Sequence, residues 1–192
     1  VLVGQCILAP LAAYALENMR WRYKEAVYFA YIIVMLMPTQ ILLVPNFIVA
    51  GWLHIRESYL AIILPALFHP LGVFLIRQQL KNFPKECMEA ASLDGAGVFR
   101  TYWYIVRPNL SSVLAALLVL LFADNWNIVD QAVVFLKQTY DNPLSVYLGN
   151  VVTGDPGMFF AVSVFYLIEA LLVFFLGQDY LTEGIALSGV KA

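Results

Sequence analysis

Residues 89–109 read EAASLDGAGVFRTYWYIVRPN. The first seven, Glu89-Ala90-Ala91-Ser92-Leu93-Asp94-Gly95, are polar and small, in a chain whose neighbouring segments are apolar enough for the inside of a bilayer. Pro84 suits the first turn of a helix, where its missing N–H costs nothing, and 85–93 holds good helix formers up to the breaker Asp94-Gly95. A short helix is predicted there. After Gly97, Phe99, Tyr102 and Val106 recur at i, i+3 and i+7, an amphipathic pattern that Pro108 is expected to stop before the next span. Segment 77–109 therefore reads as two short surface helices joined at a glycine-rich turn. Glu89 offers a charge, Ala90 and Ala91 keep the helix narrow enough for another protein to approach its backbone, and Gly95 lets the chain reverse. The helix lacks the aromatic stripe and basic flank of one lying on lipid headgroups, which favours a protein contact.

Outward from this segment the chain is membrane-like. Of its 192 residues 62% are hydrophobic and 12% charged, against roughly 45–50% apolar and 25% charged in a soluble domain. Apolar runs at 26–53, 58–76, 110–136 and 158–177 are each long enough to cross a hydrocarbon layer ~30 Å thick. They predict four complete spans in one membrane domain, 1–192. A fifth run, 1–16, has no basic flank of a secretory signal and reads as the end of a span whose beginning is absent. Pro38 and Pro45 lie on nearly the same face of the second run and should bend it in one direction.

Positive charge sets the orientation. Arg20, Arg22, Lys24, Arg77, Lys81, Lys85, Arg100, Arg107 and Lys191 fall on one side of the predicted topology, and only Arg56 and Lys137 on the other. The first side is expected to be the cytoplasm, with the C-terminus on it. Cys6 falls in a span and Cys87 in the long cytoplasmic segment, which argues against a disulfide. The net charge of −2 says little about partners, and no nucleic-acid partner is expected.

The string at 89–109 resembles the EAA loop of bacterial ABC importer permeases: Glu-Ala-Ala, three residues, Gly, nine residues, Ile, one residue, Leu-Pro. Glu89, Ala90, Ala91, Gly95, Ile105 and Pro108 fall in register, with Arg107 where the family usually has Leu. MLMPTQILLVPNF (35–47) and SYLAIILPALFHPLGVFLIRQQL (58–80) resemble further spans of that family, and the C-terminal EGIALSGVKA resembles the tail of its carbohydrate-importing branch. The resemblance implies an all-α, polytopic helix bundle of six spans with a cytoplasmic coupling helix, of which the first span and part of the second are expected to be missing here. It also implies a second permease as heterodimer partner, an extracellular solute-binding protein delivering a sugar, and two ATP-binding subunits that grip Glu89, Ala90, Ala91, Leu93, Asp94 and Gly95 and touch the tail at Ser188, Gly189 and Val190. ATP and Mg would be held by those subunits, because the chain lacks the Gly-x4-Gly-Lys-Ser/Thr phosphate loop and itself needs no cofactor.

The third complete run carries Asp124, Asn125, Trp126, Asn127 and Gln131 near its end. Ending the helix before Asp124 would leave it near ~21 Å, so these residues are expected inside the membrane, with Asp124, Asn127 and Gln131 on one helical face at i, i+3 and i+7. Polar groups at that depth face a protein interior or a watery path. The predicted path residues are Asp124, Asn125, Asn127 and Gln131, with Trp126 either stacking on a sugar or anchoring at the interface. Glu169, at the middle of the last run, has no cation at its depth and is expected to be neutral, partnered by another subunit or exposed to the path. The competing readings are an importer of amino acids, peptides or ions and a scaffold that recruits a cytoplasmic partner. A hydrolase is disfavoured: the chain has neither Gly-x-Ser-x-Gly nor His-Glu-x-x-His, and His54 and His69 have no ligand-like spacing.

Overall fold

The computed structural model describes residues 1–19, 21–137, 142–151 and 156–188, so Arg20 and Lys191 lie outside the described residues. All regular structure among them is helical: α1 (Leu2–Asn18), α2 (Lys24–Leu36), α3 (Thr39–Trp52), α4 (Leu60–Leu67), α5 (Pro70–Lys81), α6 (Lys85–Leu93), α7 (Val98–Thr101), α8 (Ser111–Trp126), α9 (Asp130–Phe135), α10 (Leu144–Val151) and α11 (Pro156–Ser188). Among the described residues three helices are long and apolar enough to cross a membrane: Leu60–Lys81, Val98–Trp126 and Pro156–Thr182. The pair α2 and α3 makes a fourth if its halves count together, bent by 112°.

Two of the four predicted spans are corrected. Run 26–53 is not one gently bent helix. The ring of Pro38 excludes helical backbone at Met37, which is extended at ψ 134°, and the chain turns sharply there. Pro45 instead sits inside α3. Run 110–136 does not continue past Trp126; it gains its length at the other end. Pro108 does not stop the helix that begins at Val98. A π turn at Tyr102–Val106 and a 3-10 turn at Arg107–Leu110 carry the axis past it into α8, so the expected second surface helix is the lower part of a 29-residue rod. The Asn109 side chain helps, its Nδ2 donating to Ile105 O at 2.7 Å.

The core forms where α1, α5 and α8 meet, with Ala13, Ile76, Val106 and Leu117 fully buried. Small residues allow the approach, as in membrane bundles generally. A Cβ at Gly72 would lie 2.8 Å from Gln5 Oε1, 2.9 Å from the Ala9 Cβ and 3.1 Å from Leu117 Cδ2, so the three helices close on a hydrogen atom. Gln5, 1% exposed, repairs the break between α4 and α5. Pro70 has no N–H for Ala66 O four residues earlier; Gln5 Nε2 donates to that carbonyl at 2.9 Å and to His69 O at 3.3 Å.

One end of this core is held by charge. Arg77, 2% exposed, donates from Nε to Glu17 Oε2 at 3.0 Å and from Nη2 to Glu25 Oε1 at 2.7 Å, and its guanidinium lies 3.8 Å from the centre of the Tyr28 ring. Three helices, α1, α2 and α5, are tied at that point. Lys24 and Lys81 gather there, and the Tyr14 hydroxyl donates to Val98 O at 3.3 Å, which brings the start of the long rod to the same end. The opposite end packs α3, α4, α9 and α10 around Ala61, Ala132 and Phe135; there Lys137 pairs with Glu57, and Arg56 donates to Phe47 O.

Gly72→Ala is expected to cost ~1–3 kcal/mol by overpacking the junction and to lower the melting temperature of the purified complex in detergent. Gly97→Ala is the control, because a Cβ there meets nothing within 4 Å. Equal melting temperatures for the two variants would show that the junction is not tight.

Candidate functional site: a polar cavity and an exposed helix

Three helix interruptions face one another: Met37–Pro38 between α2 and α3, Phe68–His69 between α4 and α5, and Asn127–Val129 between α8 and α9. Between them lies a cavity of about 690 Å³. Irregular backbone within apolar spans is tolerated where it lines such a space. Thr39 and Asn46 line it from α3, His69 from the second interruption, and Asp124, Asn125, Asn127, Asp130 and Gln131 from the third.

The predicted path residues are thus distributed differently from expectation. Asp124 and Asn125 occupy the last turn of α8, Asn127 caps it, and Gln131 lies in α9. They share a cavity wall but not one helical face, because the helix ends between them. The backbone there is held by the asparagines themselves: Asn125 Nδ2 donates to Leu121 O at 2.7 Å and Asn127 Nδ2 to Ala123 O at 2.8 Å. Asp130 Oδ2 accepts from Gln40 Nε2 at 3.1 Å, pinning α9 to the start of α3.

Trp126 is turned elsewhere. Its indole stacks with the rings of Phe122 at 5.2 Å and Tyr166 at 5.1 Å and is not among the cavity-lining residues. The Tyr166 hydroxyl, from α11, lies 2.7 Å from Trp126 O and 3.0 Å from Asn127 Oδ1, so it bonds the last helix to the cavity rim. Glu169, one turn along α11, is half-buried and has no hydrogen-bond partner among the described residues. Sequence reasoning missed Gln5, Asn46, His69 and Tyr166. The first two were polar interruptions of apolar runs, a signal that was there to be used; nothing local marks Tyr166.

The second element is α6, bounded as the sequence predicts. Its end is a Schellman motif: Ala96 N donates to Ala91 O at 2.9 Å and Gly95 N to Ser92 O at 3.1 Å, with Gly95 at φ +74°. Ala91 and Met88 face the bundle. Glu86, Glu89, Ala90 and Leu93 form the outward face, Leu93 being 89% exposed, and Asp94 caps the helix beside them. Phe99 and Val98, just past the turn, are exposed as well. A Cβ on Gly95 would meet no atom of this chain within 4 Å, so the glycine answers to its backbone angle, not to crowding within the chain. Ser188 is the last described residue of α11, and Gly189 and Val190 lie outside the described residues.

An all-α bundle of several spans, with a polar cavity at its helix breaks, defines a multi-pass membrane transport component. The chain belongs to the family of binding-protein-dependent transport system inner membrane components, which residues 7–185 match. It is 27% identical to the arabinooligosaccharides transport system permease protein AraQ of Halalkalibacterium halodurans, over 100% of this chain and 70% of that protein. It is 27% identical to the lactose transport system permease protein LacG of Rhizobium radiobacter, over 96% of this chain and 68% of that one. It is 32% identical to the sn-glycerol-3-phosphate transport system permease protein UgpE of Yersinia enterocolitica, over 66% of this chain and 45% of that protein. The fold is that of a chain in the crystal structure of a bacterial ABC transporter involved in the import of the acidic polysaccharide alginate. That chain superposes with a TM-score of 0.80 at 23% identity, over 93% of this chain and 69% of its own length.

Tyr166→Phe removes the hydroxyl that bonds α11 to the rim while keeping the ring stack. The expected loss is ~0.5–1.5 kcal/mol, read as a lower melting temperature. Faster hydrogen exchange confined to residues 123–129 should accompany it, and unchanged exchange there would mean that the bond does not hold the rim.

Proposed function

We propose that the chain is a permease subunit of an ATP-driven ABC importer and builds, with a second permease, the translocation path for a sugar or oligosaccharide. The observation that carries this reading is the cavity: carboxylates, amides and a histidine converge at three breaks in apolar spans, an arrangement too costly in a bilayer to serve packing alone. Amides and carboxylates are suited to hydroxyl-rich solutes, because Asn and Gln both donate and accept while carboxylates take the protons that hydroxyls offer. The names of the AraQ and LacG relatives support carbohydrate. An extracellular binding protein would deliver the solute, and two ATP-binding subunits would hold ATP and Mg. The charged residues gathered at the Arg77 end favour that end, with α6 and the C-terminus, as the cytoplasmic side.

In this reading α6 is the contact for an ATP-binding subunit. It presents Glu89, Ala90 and Leu93 outward on a short rigid unit and passes directly into the rod that reaches the cavity at Asp124. Ser188, Gly189 and Val190 would add a tail contact. Closure of the ATP-binding pair would displace α6 and switch access to the cavity between the two sides.

Gly95→Asp separates this role from folding. Asp tolerates a positive φ better than most residues, and the new side chain has free space within the chain. The chain should insert and pair normally, while uptake and binding-protein-stimulated ATP hydrolysis by the reconstituted complex fall at least about tenfold, the equivalent of ~1.4 kcal/mol of contact energy. Parental uptake and hydrolysis would remove α6 from coupling and favour a scaffold. In parallel, Asn127→Ala should lower uptake with the ATP-binding subunits still co-purifying; unchanged uptake would take Asn127 out of the path.

A further inference from the structure

We propose that this chain makes its half of the path selective against anionic solutes, with Asp124 and Asp130 as the determinants, so that the transported sugar is uncharged. The inference rests on the cavity being the translocation path. It decides a point the relatives leave open, since arabinooligosaccharides and lactose are neutral whereas glycerol phosphate and alginate are anionic.

Among the described residues lining the cavity are two carboxylates and no lysine or arginine. Neither carboxylate takes part in an ion pair among the described residues, and Asp130 is met only by the neutral amide of Gln40. The cations at this end of the molecule are engaged away from the cavity. Lys137 pairs with Glu57, and the Arg56 guanidinium stacks 4.1 Å from the centre of the Phe47 ring while donating to Phe47 O. His69 is the one lining side chain able to gain a positive charge, and above its ordinary range near 6.5 it is neutral.

An anion entering this space meets two like charges between low-dielectric walls, where the field is focused. Its phosphate or carboxylate group also brings only acceptors, and the carboxylates of the wall have only acceptors to offer in return. A hydroxyl-rich neutral solute meets neither difficulty: its protons go to Asp124 and Asp130, and its oxygens accept from the amides of Gln131 and Asn127.

The test needs no knowledge of the sugar. In the complete reconstituted transporter, with Cys6 and Cys87 of this chain replaced by Ser, Asn46→Cys places one thiol on the cavity wall. Its reaction rate is measured at pH 8 with two methanethiosulfonate reagents, one bearing trimethylammonium and one sulfonate, each normalised to its rate with free thiol. The cationic reagent is expected to react at least about tenfold faster. Asp124→Asn with Asp130→Asn, which keeps an acceptor for Gln40, should bring the two rates to within roughly threefold of each other. A ratio near or below unity in the parent overturns the selectivity while leaving the path reading intact. Failure of both reagents to reach the thiol, when it reacts after denaturation, overturns the path reading itself. Should the doubly substituted chain fail to assemble, the parental ratio alone decides.

Discussion

Inside a hydrocarbon layer no water is available to pair backbone N–H and C=O groups, so every break in a span must be repaired by the protein. This chain breaks its spans repeatedly, and polar side chains gather at the breaks. Gln5 supplies the N–H that Pro70 lacks at Ala66 O. Asn109 serves Ile105 O beside Pro108, and Asn125 and Asn127 serve the carbonyls of Leu121 and Ala123 towards the end of α8. At Pro38 the link joins side chains only, Gln40, two residues on, reaching across to Asp130. The cavity follows from this constraint: where the repairs are made by polar side chains facing one another, polar surface accumulates within an apolar bundle.

The repairs also connect the two ends of the molecule through α1. Near its C-terminal end Tyr14 bonds Val98 O and packs against Tyr102, at 5.2 Å between ring centres, and Glu17 binds Arg77. Near its start Gln5 holds Ala66 and His69, the latter on the cavity wall. The core between is closed on Gly72, which leaves no slack for α1, α5 and α8 to slide independently. Arg77 is the buried member of this cluster, and losing Glu17 would leave its guanidinium with only the exposed Glu25 carboxylate as a charged partner. Glu17, Glu25 and Arg77 therefore tie α1, α2 and α5 at one point and in one register.

What could be read from the sequence divides along the same line. The helix 85–93 was legible to the residue, because Pro84 and Asp94-Gly95 decide its ends locally. The apolar runs and the family were legible from hydropathy and from the spacing of Glu89, Ala90, Ala91 and Gly95. The breaks within the runs were not. Pro38 and Pro45 look alike in sequence, yet one turns the chain by 112° and the other sits within a helix, a choice made by what packs around them. Asp124, Asn127 and Gln131 were grouped by helical periodicity, whereas the structure gathers them around a cavity after the helix has ended. Tyr166 and the Arg77 cluster depend on partners 39 to 60 positions distant, which no local pattern reveals.

A stiff frame makes sense of how lightly α6 is held. Its contact with the bundle runs through Met88 and Ala91, while Glu89, Ala90 and Leu93 are free, so a load on that face meets little resistance from packing. Any such load would pass through the turn at Gly95–Gly97 into the rod from Val98 to Trp126, which at ~1.5 Å per residue is about 43 Å long and ends at the cavity wall. Along that rod the helix departs from α geometry between Tyr102 and Leu110, where a π turn and a 3-10 turn replace the regular ladder. Such stretches mark hinges because their hydrogen bonds can shift register at small cost. The hinge lies beside Tyr14, where α1 grips the rod through Val98 and Tyr102. Motion entering at α6 therefore has two continuations: along α8 to Asp124, and through Tyr14 and α1 to Gln5 and the carbonyls of Ala66 and His69. Both reach the same cavity, from walls set by different helix breaks.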